Sequence, residues 1–162
     1  MNPKAMNYLS YGMYILTARE GWKDNGCVIN TAIQVTGEPP RISISVNKTS
    51  CTHGMILRTG VFNISVLTHE APYPLLDRFG FRSGKNIEKF ELVPAVCKRS
   101  PNGLYYFAEV ANAYISAKVE KMTDLGSHTL FIGEVTDMEV LNDAQSVIFQ
   151  FSEFDNQNYR YI

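Results

Sequence analysis

Apolar and small polar residues alternate along much of this chain. The alternation is cleanest over residues 41–47, where Ile42, Ile44 and Val46 fall on one side of an extended strand and Ser43, Ser45 and Asn47 on the other. Such a strand is half buried, and its small polar face leaves room for a ligand. Runs at 12–18, 27–36, 61–67, 104–110, 113–122 and 129–141, rich in β-branched and aromatic residues, predict further strands. Helical spacing is confined to short pieces. Asn2 as a cap, Pro3 at the first helical position and a weak apolar face of Ala5, Met6 and Leu9 predict one or two turns at the start. Residues 52–59 carry Met55, Ile56 and Thr59 at helical spacing, with Gly60 placed for a left-handed cap. Many short strands with few short helices predict a mainly β fold, a closed or partly closed barrel, as one domain over residues 1–162.

The breaks in the pattern are as informative as the runs. Residues 20–26 supply turn chemistry ending in Asn25-Gly26, which predicts a hairpin between the first two strands. Glu38-Pro39-Pro40 interrupts pairing, because proline has no N–H for a neighbouring strand. Residues 68–93 lose the alternation and read as a long excursion with one or two short helices, including an apolar-periodic piece at 73–79; excursions of this kind often bind or cover a ligand.

Charge and composition narrow the function. Fifteen basic and 16 acidic residues are spread along the sequence, so no basic stripe is available for a nucleic-acid backbone or an anionic membrane. No segment approaches the ~20 apolar residues of a membrane span or resembles a signal peptide, and the expected location is cytoplasmic. The three cysteines, Cys27, Cys51 and Cys97, are odd in number and never paired as Cys-x-x-Cys, which predicts buried thiols in a reducing compartment. The three histidines show no i, i+4 pairing, so no metal site is expected.

One stretch carries candidate chemistry. The strand ending at Asn47 delivers Lys48, Ser50 and Thr52 to the start of the predicted helix, where unpaired backbone N–H groups and the helix dipole favour an anion such as a phosphate. Taken singly, Ser50 or Thr52 is an ordinary helix cap, and Ser, Thr and Asn on a strand are its solvated face. The combination, in order and with Lys48 between, favours the phosphate reading.

The run Asn30-Thr31-Ala32-Ile33-Gln34-Val35-Thr36-x-x-Pro39-Pro40, followed by Asn47-Lys48-x-Ser50-x-Thr52, resembles the FMN-binding half of the flavin reductase-like family. Gly60-x-Phe62-x-Ile64-x-Val66-Leu67 and Ser127-His128-Thr129-Leu130-Phe131-Ile132-Gly133-Glu134-Val135 resemble its other two signatures in the expected order. The resemblance spans nearly the whole chain and implies an FMN-binding split β-barrel, homodimeric, with flavin near the subunit interface. The variant Asn25-Gly26-Cys27 with Asn30-Thr31 resembles the branch from anaerobes that works beside rubredoxin or flavodiiron modules. Three cysteines are too few for a rubredoxin iron site, which takes four thiolates, so any rubredoxin is a separate partner.

The resemblance implies that Asn30, Thr31, Ala32 and Gln34 follow the flavin ring and ribityl chain, that Lys48, Ser50 and Thr52 hold the phosphate, and that Asn47 and His53 lie nearby. It places His128 toward flavin or nicotinamide, with Ser127 where the family commonly has Asp; a structural histidine bonded to a backbone carbonyl is the alternative. Phe79, Arg82, Ser83 and Lys85 match the substrate-side loop, against the alternative of solvated loop charges. Tyr159 and Tyr161 in the tail pack over the site, across a dimer interface or on their own barrel. The implied activity is reduction of FMN by NADH or NADPH, with electrons passed to free flavin or to a redox protein. The glycine-rich dinucleotide fingerprint is absent, which fits a nicotinamide held transiently. An FMN electron carrier that never meets a nicotinamide is the alternative; an oligonucleotide-binding barrel would need the basic and aromatic face this sequence lacks.

Overall fold

The computed structural model describes residues 1–91 and 94–150. A 3-10 turn, Pro3–Tyr8, opens with the Asn2 side chain accepting from the Lys4 amide. It leads into β1 (Ser10–Gly12), β2 (Tyr14–Glu20), β3 (Lys23–Ile29), β4 (Ala32–Gly37) and β5 (Pro40–Asn47). Helix α1 (Cys51–Thr59) precedes β6 (Val61–Leu67), and α2 (Tyr73–Leu76) runs into a π-turn at Asp77–Phe81. A small hairpin of β7 (Cys97–Arg99) and β8 (Tyr105–Phe107) follows, then the long β9 (Ala111–Asp124) and β10 (His128–Val140), and β11 (Ile148–Gln150), which pairs with β1.

Seven strands form one antiparallel sheet in the order β3-β2-β6-β9-β10-β5-β4. Its two edges, β3 and β4, are consecutive in sequence and joined only by Asn30 and Thr31. Two residues span only about 7 Å of extended chain, so the sheet must curl until its edges nearly meet. The result is the expected mainly β barrel, left split between β3 and β4.

Two cores flank this curved sheet. Inside the barrel, Leu16, Ile44, Phe62 and Phe131 are fully buried together with Ile42, Val46 and Ile56. Outside it, Ile15, Leu67, Phe79 and Phe107 form a second cluster under the 68–91 excursion. Each such side chain contributes about 1.5–3 kcal/mol on burial. Neighbours Ile15 and Leu16 feed different cores because β2 is covered on both faces. Helix α1 is framed as its sequence dictates: the Ser50 side chain accepts from the Thr52 amide, and Gly60 closes it at φ +70°.

Four expectations change. The strand expected over 27–36 is broken at Asn30-Thr31, because those residues carry the chain from one sheet edge to the other. Asn25-Gly26 is not a turn: the hairpin turns at Gly21-Trp22, with Gly21 at φ +57°, while Gly26 lies inside β3 opposite Thr17. Glycine is needed there for space, since a Cβ would stand 2.8 Å from the Leu16 carbonyl and 3.2 Å from the Phe79 ring. The strand expected at 104–110 is only the short β8. Cys97 is buried, but Cys27 and Cys51 are half-buried. None of the described helices is long and apolar enough to cross a membrane.

Candidate functional site

A cleft of about 830 Å³ opens where the barrel is split. Its sheet wall is the β3 stretch from Asn25 to Ile29, the link Asn30-Thr31, and Ser45 and Asn47 of β5. Thr49, Ser50 and Cys51 bring in the start of α1, and Leu125, Ser127 and His128 the turn between β9 and β10. The opposite wall is the excursion, Phe79 to Gly84, with Lys89. The small polar face of β5 therefore does border open space. Thr31 fixes the link by donating from Oγ1 to the Ser45 carbonyl at 3.1 Å.

The structure brings together Asn30, Thr31, Asn47, Ser50, Phe79, Arg82, Ser83 and His128 of the residues singled out in the sequence. Asn30 is buried, while Asn47 turns its Oδ1 to accept from the Thr49 amide and hydroxyl, both at 2.9 Å. Half-buried His128 ends the β10 ladder opposite Asn47, with its Nδ1 2.8 Å from the Ser127 hydroxyl. The partner of this ring nitrogen is the Ser127 hydroxyl and not a backbone carbonyl. Arg82 leans on Asp77, Nε to Oδ2 at 2.7 Å.

Other singled-out residues stand outside the cleft. Ala32 packs against the barrel core, and exposed Gln34 donates to the Thr36 carbonyl. Lys48 is turned to Asp124, Nζ to Oδ1 at 2.6 Å, and this bond holds the Asp124 carboxyl below its usual range. Thr52 is fully buried beneath Asn25, whose Nδ2 donates to its Oγ1 at 3.3 Å. His53 is buried against Phe131, with Nε2 2.8 Å from the Thr129 hydroxyl. Burial lowers its pKa, with Lys48 and His128 adding to the effect. Lys85 is exposed on the excursion, and its amide donates to the Ser83 hydroxyl at 3.2 Å. Tyr159 and Tyr161 lie outside the described residues.

Among the lining residues that the sequence reading did not assign to the site are Asn25, Cys27, Cys51 and Lys89. Lys89 is only 4% exposed; its Nζ donates to the carbonyls of Gly26 at 2.9 Å and Phe79 at 3.2 Å and lies 5.6 Å from the Phe79 ring centre. Burial lowers its pKa, and burial pushes the Cys27 thiol up, which keeps that sulfur neutral beside the ammonium. Asn25 is 1% exposed, and its Oδ1 has no hydrogen-bond partner. Asn25 and Cys27 stand in a motif without a site role, and no sequence pattern marks Lys89, because it sits in an unremarkable mixed-charge run and its burial is set by tertiary packing. Among the described residues lining the cleft, Arg82 and Lys89 are cations and none is a carboxylate. The site therefore favours an anionic, hydrogen-bonding ligand.

A split β-barrel with an anion-favouring cleft along its seam defines a class of small ligand-binding barrels. The chain belongs to the flavin reductase-like family: the model described as "Flavin reductase like domain" matches residues 6–158. It is 41% identical over 151 residues to the high molecular weight rubredoxin of Moorella thermoacetica, covering 93% of this chain and 65% of that protein. The chain thus spans just under two thirds of that relative's length. It is 39% identical over 149 residues to the ferric-chelate reductase (NAD(P)H) of Archaeoglobus fulgidus, covering 92% of this chain and 87% of that protein. Among solved structures, the NADH:FAD oxidoreductase SgcE6 of Streptomyces globisporus superposes with a TM-score of 0.81 at 21% identity, covering 91% of this chain and 86% of that one. An FMN-binding protein from Thermus thermophilus superposes with a TM-score of 0.76 at 21% identity, over 87% and 76%. These two show the shared fold.

Proposed function

We propose that the cleft binds FMN and that the chain is an NAD(P)H-dependent flavin reductase, passing electrons to free flavin or to a redox protein such as rubredoxin. The observation that carries this reading is the cleft itself, which joins a small polar strand face, a helix start and the buried Lys89 ammonium, with Arg82 paired to Asp77 at its edge. Its volume, about 830 Å³, suits a cofactor-sized ligand. The unpartnered Asn25 Oδ1 fits a ligand that completes the site's hydrogen bonding.

Bound flavin supplies a ring that takes up a hydride and releases the electrons to an acceptor. The protein's own task is binding and orientation. Asn30, Thr31 and Ser45 would hold the flavin from the strand side, Ser50 and the first turn of α1 would take its phosphate, and Phe79, Arg82 and Ser83 would border a nicotinamide. His128, held by Ser127, stands at the rim as a donor or acceptor toward either ring. Exposed Ile33 and Val35 on edge strand β4 support a homodimer, testable by sedimentation.

The relative named as a rubredoxin favours a second reading, an FMN electron carrier that does not use a nicotinamide. Anaerobic mixing of FMN-loaded protein with NADH and then NADPH separates the two. Bleaching of the flavin absorbance, followed by reoxidation with ferric chelate or rubredoxin, is expected. Flavin that stays oxidised with both nucleotides overturns the reductase reading in favour of the carrier.

A further inference from the structure

Lys89 is a buried ammonium, and among the described residues no carboxylate pairs with it. The Gly26 and Phe79 carbonyls take two of its three N–H groups. Burying such a charge is costly unless something of opposite sign compensates it. The ammonium is tied to Gly26, whose neighbour Asn25 bonds Thr52 in the first turn of α1, so it lies toward that helix's positive end, and Arg78, which donates to the Lys89 carbonyl, adds a further positive charge nearby. Beside it, the Asn25 amide is buried with one end unpartnered. Thr52 Oγ1 can donate as well as accept, so this amide can turn its NH₂ toward an anion with no loss to Thr52. Lys48 offers none of this, being exposed, paired with Asp124 and outside the cleft.

We propose that Lys89, with Asn25 and the first turn of α1, forms the phosphate pole of the cleft, so that the excursion rather than the 47–52 segment supplies the cation that recognises a phosphate monoester. The inference rests on the flavin reading above and gives Lys89 two jobs. It straps the excursion to β3 through the Gly26 and Phe79 carbonyls, and it gives the cleft a preference for FMN over riboflavin, which lacks the phosphate.

Binding of FMN and riboflavin to the full chain, each followed by quenching of flavin fluorescence, tests it. Lys89→Gln keeps an N–H donor for the two carbonyls and removes the charge. It is expected to weaken FMN by about tenfold or more, as loss of a charge-assisted contact does, and to leave riboflavin within about twofold. Lys89→Arg is expected to retain FMN preference, and Lys48→Met to bind both flavins as the wild type does. Should Lys89→Gln fail to fold, the isosteric Asn25→Asp puts a negative charge at the pole and is expected to lower FMN selectively. FMN and riboflavin weakening together, or neither weakening, in the folded variant overturns the proposal. Selective loss of FMN in Lys48→Met also overturns it, by handing the phosphate to Lys48. A wild type that binds neither flavin overturns the flavin reading itself.

Discussion

Two lysines frame the cleft and differ in nearly everything but charge. Lys48 sits where strand β5 gives way to α1, exposed and paired with Asp124. Lys89 ends the excursion on the other side, almost fully buried and held by two carbonyls and an aromatic face. An exposed pair like Lys48–Asp124 contributes about 0–1 kcal/mol and leaves no net charge for a ligand. A buried ammonium without a carboxylate leaves its field in the cleft. On the proposal above, what neutralises a cation decides its function more than its position in a motif does. The two walls also differ in how they are held: hydrogen-bonded ladders fix the sheet wall, whereas the excursion depends on side-chain packing and the Lys89 strap.

The largest expected effect breaks the weaker wall. Phe79 is fully buried, edge-on to Phe90 at 5.2 Å and to Phe107 at 5.1 Å, and its carbonyl accepts from Lys89. Phe79→Ala should destabilise the protein by about 3–5 kcal/mol, measured by urea unfolding, with FMN affinity lost along with the excursion's anchorage. A loss under about 1 kcal/mol would show that the excursion is held independently of its aromatic cluster.

A smaller effect concerns helix α1, packed behind the sheet wall. Burial, with Lys48 and His128 adding to it, favours the neutral form of His53. Its folded pKa lies below the ordinary 6.5, so the unfolded chain takes up the proton first as pH falls. Stability from this group is fully present above about pH 6.5 and is lost as pH falls through the folded value. His53→Gln should flatten the decline in urea midpoint between pH 8 and pH 5, and an unchanged slope would place the titrating group elsewhere.

Much of the sheet wall was legible in the sequence, because strand alternation and helix capping are local. Ile42, Ile44 and Val46 are buried as their spacing requires, and Ser50 and Gly60 bound α1 as their chemistry requires. The break at Asn30-Thr31 was not legible, since it follows from which strands close the sheet edges. Nor was the role of Gly26, whose missing side chain matters only because Leu16 and Phe79 crowd it. The excursion hid most. Lys89 is one charge among several in sequence and becomes distinctive only when 10 residues of chain fold it back onto Phe79. For the same reason Lys48, the lysine that fits the motif, is the one that Asp124 occupies.

The most direct test of this account is a crystal structure of the protein grown with FMN. The expected result is flavin in the seam between β3 and β4, its phosphate within hydrogen-bond distance of Lys89 Nζ and the Lys48–Asp124 pair intact. A phosphate held by Lys48, with Asp124 displaced and Lys89 remote, would contradict it.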